Sequence, residues 1–206
     1  MTDRIYFVIS CRETISVMKM IEPNVIRAIA FASKRHRGQT RKGLKNPPYI
    51  HHPIQVMVIL TDHGEYDSTV LMAAALHDVI EDTAHNTEQI SDLEQTIRQD
   101  FGPQVLDVVR EVSDDKQLPF EERKRLQVVN TPGLSDEAKK IKIADKTCNI
   151  MDMMEDPPTN WSNQRKLEYL DWAGQVVEGA RGVNPELEDH FDRHRTEAYH
   201  KFSESP

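Results

Sequence analysis

The segment Ala74-Ala75-Leu76-His77-Asp78-Val79-Ile80-Glu81-Asp82 sets two metal-ligand side chains side by side and follows them, one helical turn later, with two carboxylates. Side chains three and four apart share a helix face, so Glu81 comes near His77 and Asp78, and Asp82 near Asp78. The helix is otherwise apolar (Val70, Leu71, Ala73, Ala74, Ala75, Leu76, Val79, Ile80), which places the four polar groups at the mouth of a core. Carboxylates there need a cation or hydrogen-bond donors. Imidazole with carboxylate suits manganese, iron, nickel or zinc. A His-Asp pair by itself is common in any sequence. Four titratable residues within one apolar helix are not, unless they act together.

The rest of a metal site comes from residues distant in sequence. Upstream, Pro48-Tyr49-Ile50-His51-His52-Pro53 offers His52 directly before an expected helix start; downstream, Ile141-Lys142-Ile143-Ala144-Asp145-Lys146 offers Asp145 in an apolar stretch. Together His52, His77, Asp78 and Asp145 would form an N,N,O,O set with coordination positions left for water and a phosphate oxygen, as metal-assisted hydrolysis requires. Basic residues cluster at Lys34, Arg35, His36, Arg37, Arg41, Lys42 and Lys45, and again at Arg123, Lys124 and Arg125.

The elements that must position these groups read as helices, because strand signals are scarce and helical periodicity is frequent. An all-α fold, a single helical bundle, follows. The pattern predicts helices over Asn24 to Arg35, over Ile54 to Leu60 after Pro53, and from a Ser68 cap through His77 and Asp78. Further helices are expected from Thr87 to near Asp100, over Val105 to Val112, over Phe120 to Asn130 and from Ser135 to about Met153. The last two run from Ser162 to Glu178 and from Pro185 to Lys201. Gly38 to Pro48 and Lys116 to Pro119 are loops. The terminal helix looks polar all round, so His190, His194 and His200 read as surface residues. Residues 1–22 show no firm pattern and are expected to be an extension, residues 23–202 the domain, and residues 203–206 a frayed tail.

With 206 residues, 38% hydrophobic and 29% charged, the chain has the composition of one ordinary globular domain. No run approaches the roughly 20 apolar residues that span a bilayer, and no signal peptide is recognisable, so a cytoplasmic protein is expected. Cys11 and Cys148 are the only cysteines, which excludes a disulfide framework, and neither looks like a nucleophile. A net charge of −8 argues against a nucleic-acid binder. An anionic substrate must therefore be held by local positive charge.

Five motifs in order carry a resemblance: His36-Arg37-Gly38-Gln39-Thr40-Arg41-Lys42, Pro48-Tyr49-Ile50-His51-His52-Pro53, His77-Asp78-Val79-Ile80-Glu81-Asp82, Asp114-Asp115-Lys116 and Ala144-Asp145-Lys146-Thr147-Cys148-Asn149. Over about residues 24–190 the chain resembles the HD-domain metal-dependent phosphohydrolases of the RelA/SpoT hydrolase type, in particular the small stand-alone alarmone hydrolases of metazoan SpoT-homologue kind. The resemblance implies that His52, His77, Asp78 and Asp145 bind Mn2+ and that Glu81 and Asp82 are the catalytic acidic pair. The family commonly has Asn where this chain has His51, and His52, beside Pro53, is the matching ligand. Arg41, Lys42, Tyr49, Lys116, Asn149 and Tyr169 fall where related enzymes contact nucleotide or phosphate.

What the resemblance implies is a guanosine-3′,5′-bis(diphosphate) 3′-pyrophosphohydrolase. It would remove the 3′-pyrophosphate of the stringent-response nucleotides ppGpp and pppGpp to give GDP or GTP. The longer relatives add a synthetase for which this chain has no room, so a stand-alone degrader is expected, with homo-oligomerisation open. One alternative is an HD phosphohydrolase of another ester, such as the 2′-phosphate of NADPH, distinguished by release of orthophosphate. The other is a catalytically silent alarmone-binding module, against which Glu81 and Asp82 speak, since binding alone does not need them.

Overall fold

The computed structural model describes residues 22–204, and among these every regular element is helical. The extension expected over residues 1–22, with Cys11, lies outside the described residues except for Glu22, which precedes the first helix. Ten α-helices follow in order: α1 Pro23–Arg35, α2 His51–Asp62, α3 Ser68–Leu76, α4 Val79–Thr83, α5 Thr87–Phe101, α6 Pro103–Val112, α7 Phe120–Asn130, α8 Asp136–Glu155, α9 Asn163–Glu178 and α10 Pro185–Ser203. The all-α bundle expected from periodicity is what forms.

Helix α3 is the core of the bundle. Its residues from Val70 to Leu76 are all buried, and it packs against α1, α2, α6 and α8. An apolar helix with no polar face has to be surrounded in this way. Helix α8 is the second hub, burying Ile141, Ile143, Ala144, Cys148 and Ile150 against α2, α6, α9 and α10. Side chains that accept from the first-turn N–H groups start five helices: Asp67, Asn86, Ser135, Ser162 and Asn184. Each such cap contributes about 1 kcal/mol. Between α5 and α6 the chain turns at Gly102, whose φ of 100° lies in the left-handed region.

Three expectations about helix ends need correction. The cap of α3 is Asp67 rather than Ser68, because the Asp67 carboxylate takes the N–H groups of Thr69 and Val70. Helix α2 starts at His51, so His52 sits inside its first turn, and Pro53 falls where a missing N–H costs nothing. The helix bearing His77 and Asp78 is interrupted at those two residues: α3 ends at Leu76 and α4 begins at Val79. There the His77 ring, with Nδ1 2.7 Å from the Ala74 carbonyl, takes an acceptor that the helix would otherwise use.

Helix α10 is not polar all round. Leu187, Phe191, Ala198 and Phe202 form a buried stripe against α8 and α9. His190 and His194 are half-buried rather than surface residues. The helix runs through Ser203, one residue into the expected tail, and residues 205 and 206 lie outside the described residues.

Candidate active site

The break between α3 and α4 turns His77 and Asp78 toward the first turn of α2 and the middle of α8. His77 Nε2 comes to 3.2 Å from His52 Nε2 and 3.0 Å from Asp78 Oδ2, while His52 Nε2 is 3.2 Å from Asp145 Oδ1 and 3.6 Å from Asp78 Oδ2. The adjacent His51 is exposed, so burial singles out His52 of the pair. His52, His77 and Asp145 have ligand atoms close enough together to hold one divalent metal ion, and Asp78 stands beside His77 and His52.

The charges say the same. Burial pulls the His77 imidazole down, but the Asp78 carboxylate beside it outweighs that and lifts its pKa to about 9. Burial holds His52 below its ordinary value. Burial works against ionised Asp78 and Asp145, yet His77 holds the first, and Lys146 with His52 holds the second, well below the usual carboxylate range. Two ionised carboxylates at this depth need cationic partners. Behind it, His52 Nδ1 faces the Cys148 thiol at 3.3 Å with Asp152 nearby. That second donor cluster already has its cation, because Arg41 bonds Asp152 at 2.8 Å and burial keeps the Cys148 thiol protonated.

Helix α4 carries the acidic pair past the rim of this centre. Glu81 accepts from the Asp114 N–H at 3.0 Å and pairs with Lys116 at 3.0 Å and Arg123 at 3.6 Å. Asp82 pairs with the same Lys116 at 2.9 Å, and its backbone carbonyl accepts from the Gln39 amide at 2.9 Å. Burial, helped by Asp78 and Asp114, raises the Glu81 pKa above its ordinary value against the pull of Lys116.

A cleft of about 150 Å³ opens over these groups, lined by His52, His77, Asp78 and Glu81 together with Arg41, Lys142, Asp145, Lys146 and Asn149. Residues 142, 145, 146 and 149 share one face of α8, and Lys146 with Arg41 makes this the positive wall around Asp145. Asn149 receives Arg41 Nη2 at 2.5 Å and donates to Asp145 Oδ1 at 2.6 Å, which connects the guanidinium to the donor set. Tyr49 donates to Asp78 Oδ2 at 2.8 Å and stacks on His36.

Of the residues singled out in the sequence, Arg41, Tyr49 and Asn149 line the cleft with Glu81 and the four donors. Lys116 is brought to the acidic pair rather than to open space. Lys42 stands exposed two residues before the loop tip, and Tyr169 packs beside Trp172 and Trp161 without lining the cleft. Sequence reasoning passed over Lys142, Lys146, Arg123 and Asp152 as site residues. For Lys142 and Lys146 a signal was present, since two lysines at helical spacing from Asp145 on an apolar helix ask for a reason. Arg123 stood in a basic cluster that the sequence did show, but its pairing with Glu81 crosses from another element, and for Asp152 no signal was present.

A helical bundle that converges two imidazoles and two carboxylates beside a second carboxylate pair is the architecture of the HD domain, and residues 28–170 match that family. The chain belongs to the HD domain family, among relatives of the metazoan SpoT-like type. It is 45% identical over 166 residues to the human guanosine-3′,5′-bis(diphosphate) 3′-pyrophosphohydrolase MESH1, with 80% of this chain and 89% of that protein covered. The Xenopus tropicalis MESH1 protein is 44% identical over 169 residues, covering 82% of this chain and 90% of its own. A solved structure described as a metazoan ortholog of SpoT that hydrolyzes ppGpp superposes with a TM-score of 0.78 at 39% identity. It covers 87% of this chain and 96% of its own.

Proposed function

We propose that this protein hydrolyses the 3′-pyrophosphate of ppGpp and pppGpp, giving GDP or GTP and pyrophosphate, with one Mn2+ ion held by His52, His77, Asp78 and Asp145. The observation that carries the reading is that His52 Nε2 lies 3.2 Å from both His77 and Asp145 and 3.6 Å from Asp78, in one cleft with Glu81 and Arg41. The names of relatives that this chain matches over most of their length support the substrate. When bound, such an ion supplies Lewis-acid chemistry, lowering the pKa of water and offsetting phosphate charge.

The chain's own groups account for the rest. Glu81, whose pKa burial raises above the ordinary carboxylate value, holds the attacking water and takes its proton as the oxygen bonds to the phosphorus on the ribose 3′ oxygen. Asp82 fixes Lys116, and Lys116 fixes Glu81, so the base is oriented before substrate arrives. The bond from phosphorus to the 3′ oxygen breaks, and that oxygen takes a proton from solvent. Arg41, Lys146 and Asn149 bind the pyrophosphate oxygens, Arg41 through directional paired donors. Tyr49 orients Asp78. For Lys42 and Tyr169, which do not line the cleft, contact with the nucleotide rests on the motif resemblance alone. No described helix is long and apolar enough to cross a membrane, and we read the site of action as the cytoplasm.

A screen of purified, manganese-loaded protein against ppGpp, pppGpp and NADPH tests this reading. Pyrophosphate from the guanosine nucleotides is expected. Orthophosphate from NADPH with no turnover of ppGpp would replace the substrate while leaving the metal centre.

A further inference from the structure

The acidic pair rides on α4, a helix of only 5 residues. A helix that short is almost all ends: its last carbonyls have no partner within it, and its direction is set by whatever takes them. The end of α1 and the loop after it supply the partners. Gln39 Nε2 donates to the Asp82 carbonyl at 2.9 Å, and Arg35 donates to the Thr83 carbonyl at 3.3 Å and to the Thr83 hydroxyl at 3.2 Å. Lys116 and Arg123 hold the carboxylates of the pair. Gln39 and Arg35 hold the backbone that those cations do not touch.

A buried histidine fixes which way the Gln39 amide points. A carbonyl oxygen only accepts, so Nε2 faces Asp82, and Oε1 faces His36 Nδ1, 2.7 Å away. His36 Nδ1 therefore carries the hydrogen. The His36 side chain is buried, and its Nε2 has no hydrogen-bond partner among the described residues, so a hydrogen there would be a stranded donor. The same ring stacks on Tyr49 with centroids 4.8 Å apart, and the Tyr49 N–H donates to the Gln39 carbonyl at 2.9 Å. Tyr49 in turn donates to Asp78. Gln39 thus reaches the acidic pair through its side chain and the metal donors through Tyr49.

We propose that Gln39, its amide oriented by the His36 Nδ1–H, is a positioning residue for hydrolysis, setting the register of Glu81 and Asp82 against the donor set. It acts through the Asp82 backbone. The inference rests on the role given above to Glu81 as base. Misplacing a reacting group by about 1 Å can cost on the order of 10²-fold in rate. The loss should fall on the chemical step, because Arg41 and Asn149 are held by Asp152 and Asp145 rather than by Gln39.

The test is a cycle of Gln39→Met and Glu81→Gln, singly and together, in manganese-loaded protein, reading kcat and KM for ppGpp and counting bound metal by elemental analysis. Methionine keeps the length and removes the amide. Gln39→Met should lower kcat about 10-fold or more, with KM little changed and manganese still bound. In the Glu81→Gln background, where the base is already gone, it should cost less than about 2-fold more. A full second loss there, or wild-type kcat in Gln39→Met, overturns the proposal. His36 separates the hydrogen bond from the stack: His36→Asn keeps an N–H near the Nδ1 position, and His36→Phe keeps the ring. His36→Asn should retain more kcat than His36→Phe, and the reverse order would assign the effect to the stack on Tyr49 and overturn the relay through Gln39. A wild type that turns over NADPH and no ppGpp fails the substrate reading alone, and the cycle is then measured on NADPH. Amide exchange over Val79–Thr83 needs no turnover and should speed several-fold in Gln39→Met; unchanged exchange overturns the proposal whatever the substrate.

Discussion

At the scale of single residues, the centre separates groups that hold charge from groups that move protons. His77 has Nε2 facing three other donors, so His77→Ala should remove tightly bound metal and abolish hydrolysis while circular dichroism keeps its helical signal. Full metal occupancy in that variant would contradict the donor assignment. Glu81 carries a cost as well as a role. Its folded pKa is raised, so it favours the fold below its unfolded pKa of about 4.3, and that contribution is lost as pH rises through the folded value. Glu81→Gln should therefore cut turnover by roughly 10²-fold and yet melt higher than wild type at pH 7 in the metal-free state, the gain vanishing toward pH 4. A variant that melts lower at pH 7 would mean that the ion pairs to Lys116 and Arg123 outweigh burial.

At the scale of elements, one loop decides how the positive wall is presented. The tip of residues 38–48 is tied down by the Asp156 carboxylate, which accepts the N–H groups of Leu44 and Lys45, each at 2.9 Å. Gly43, with φ at 146°, passes so close that a Cβ there would lie 2.2 Å from Asp156 Oδ2. Asp156→Ala should free the loop and with it Arg41, raising KM for ppGpp about 10-fold, the scale of a lost charge-assisted pair, with kcat changed far less. An equal fall in kcat would place the loop in the chemical step. This clamp was invisible in the sequence, since nothing marks an Asp more than 100 residues away as a partner of a Gly. Helix periods and proline stops were legible because they are local, and Phe120 to Asn130 came out with the bounds expected. The break at His77-Asp78 was not, because a side chain competing for the Ala74 carbonyl leaves the apolar pattern of α3 and α4 unchanged. The stripe on α10 was missed because Leu187, Phe191, Ala198 and Phe202 are diluted by charged neighbours.

At the scale of the whole molecule, a chain of net charge −8 binds a highly anionic nucleotide through a small positive wall. Screening lengths fall from about 10 Å at 0.1 M salt to about 3 Å at 1 M, so KM for ppGpp should climb several-fold across that range. A flat response would mean that binding rests on the nucleoside instead. That His52, His77, Asp78 and Asp145 come together was readable because each sits in a local motif, whereas the cation side of the cleft depends on tertiary contacts among α7, α8 and the loop before α2. The central claim is hydrolysis at the phosphorus attached to the ribose 3′ oxygen. Turnover of ppGpp by the manganese-loaded protein in ¹⁸O-water, followed by mass spectrometry of the products, tests it most directly. One ¹⁸O per pyrophosphate with unlabelled GDP is the expected result; labelled orthophosphate, or label in the ribose hydroxyl of GDP, would contradict it.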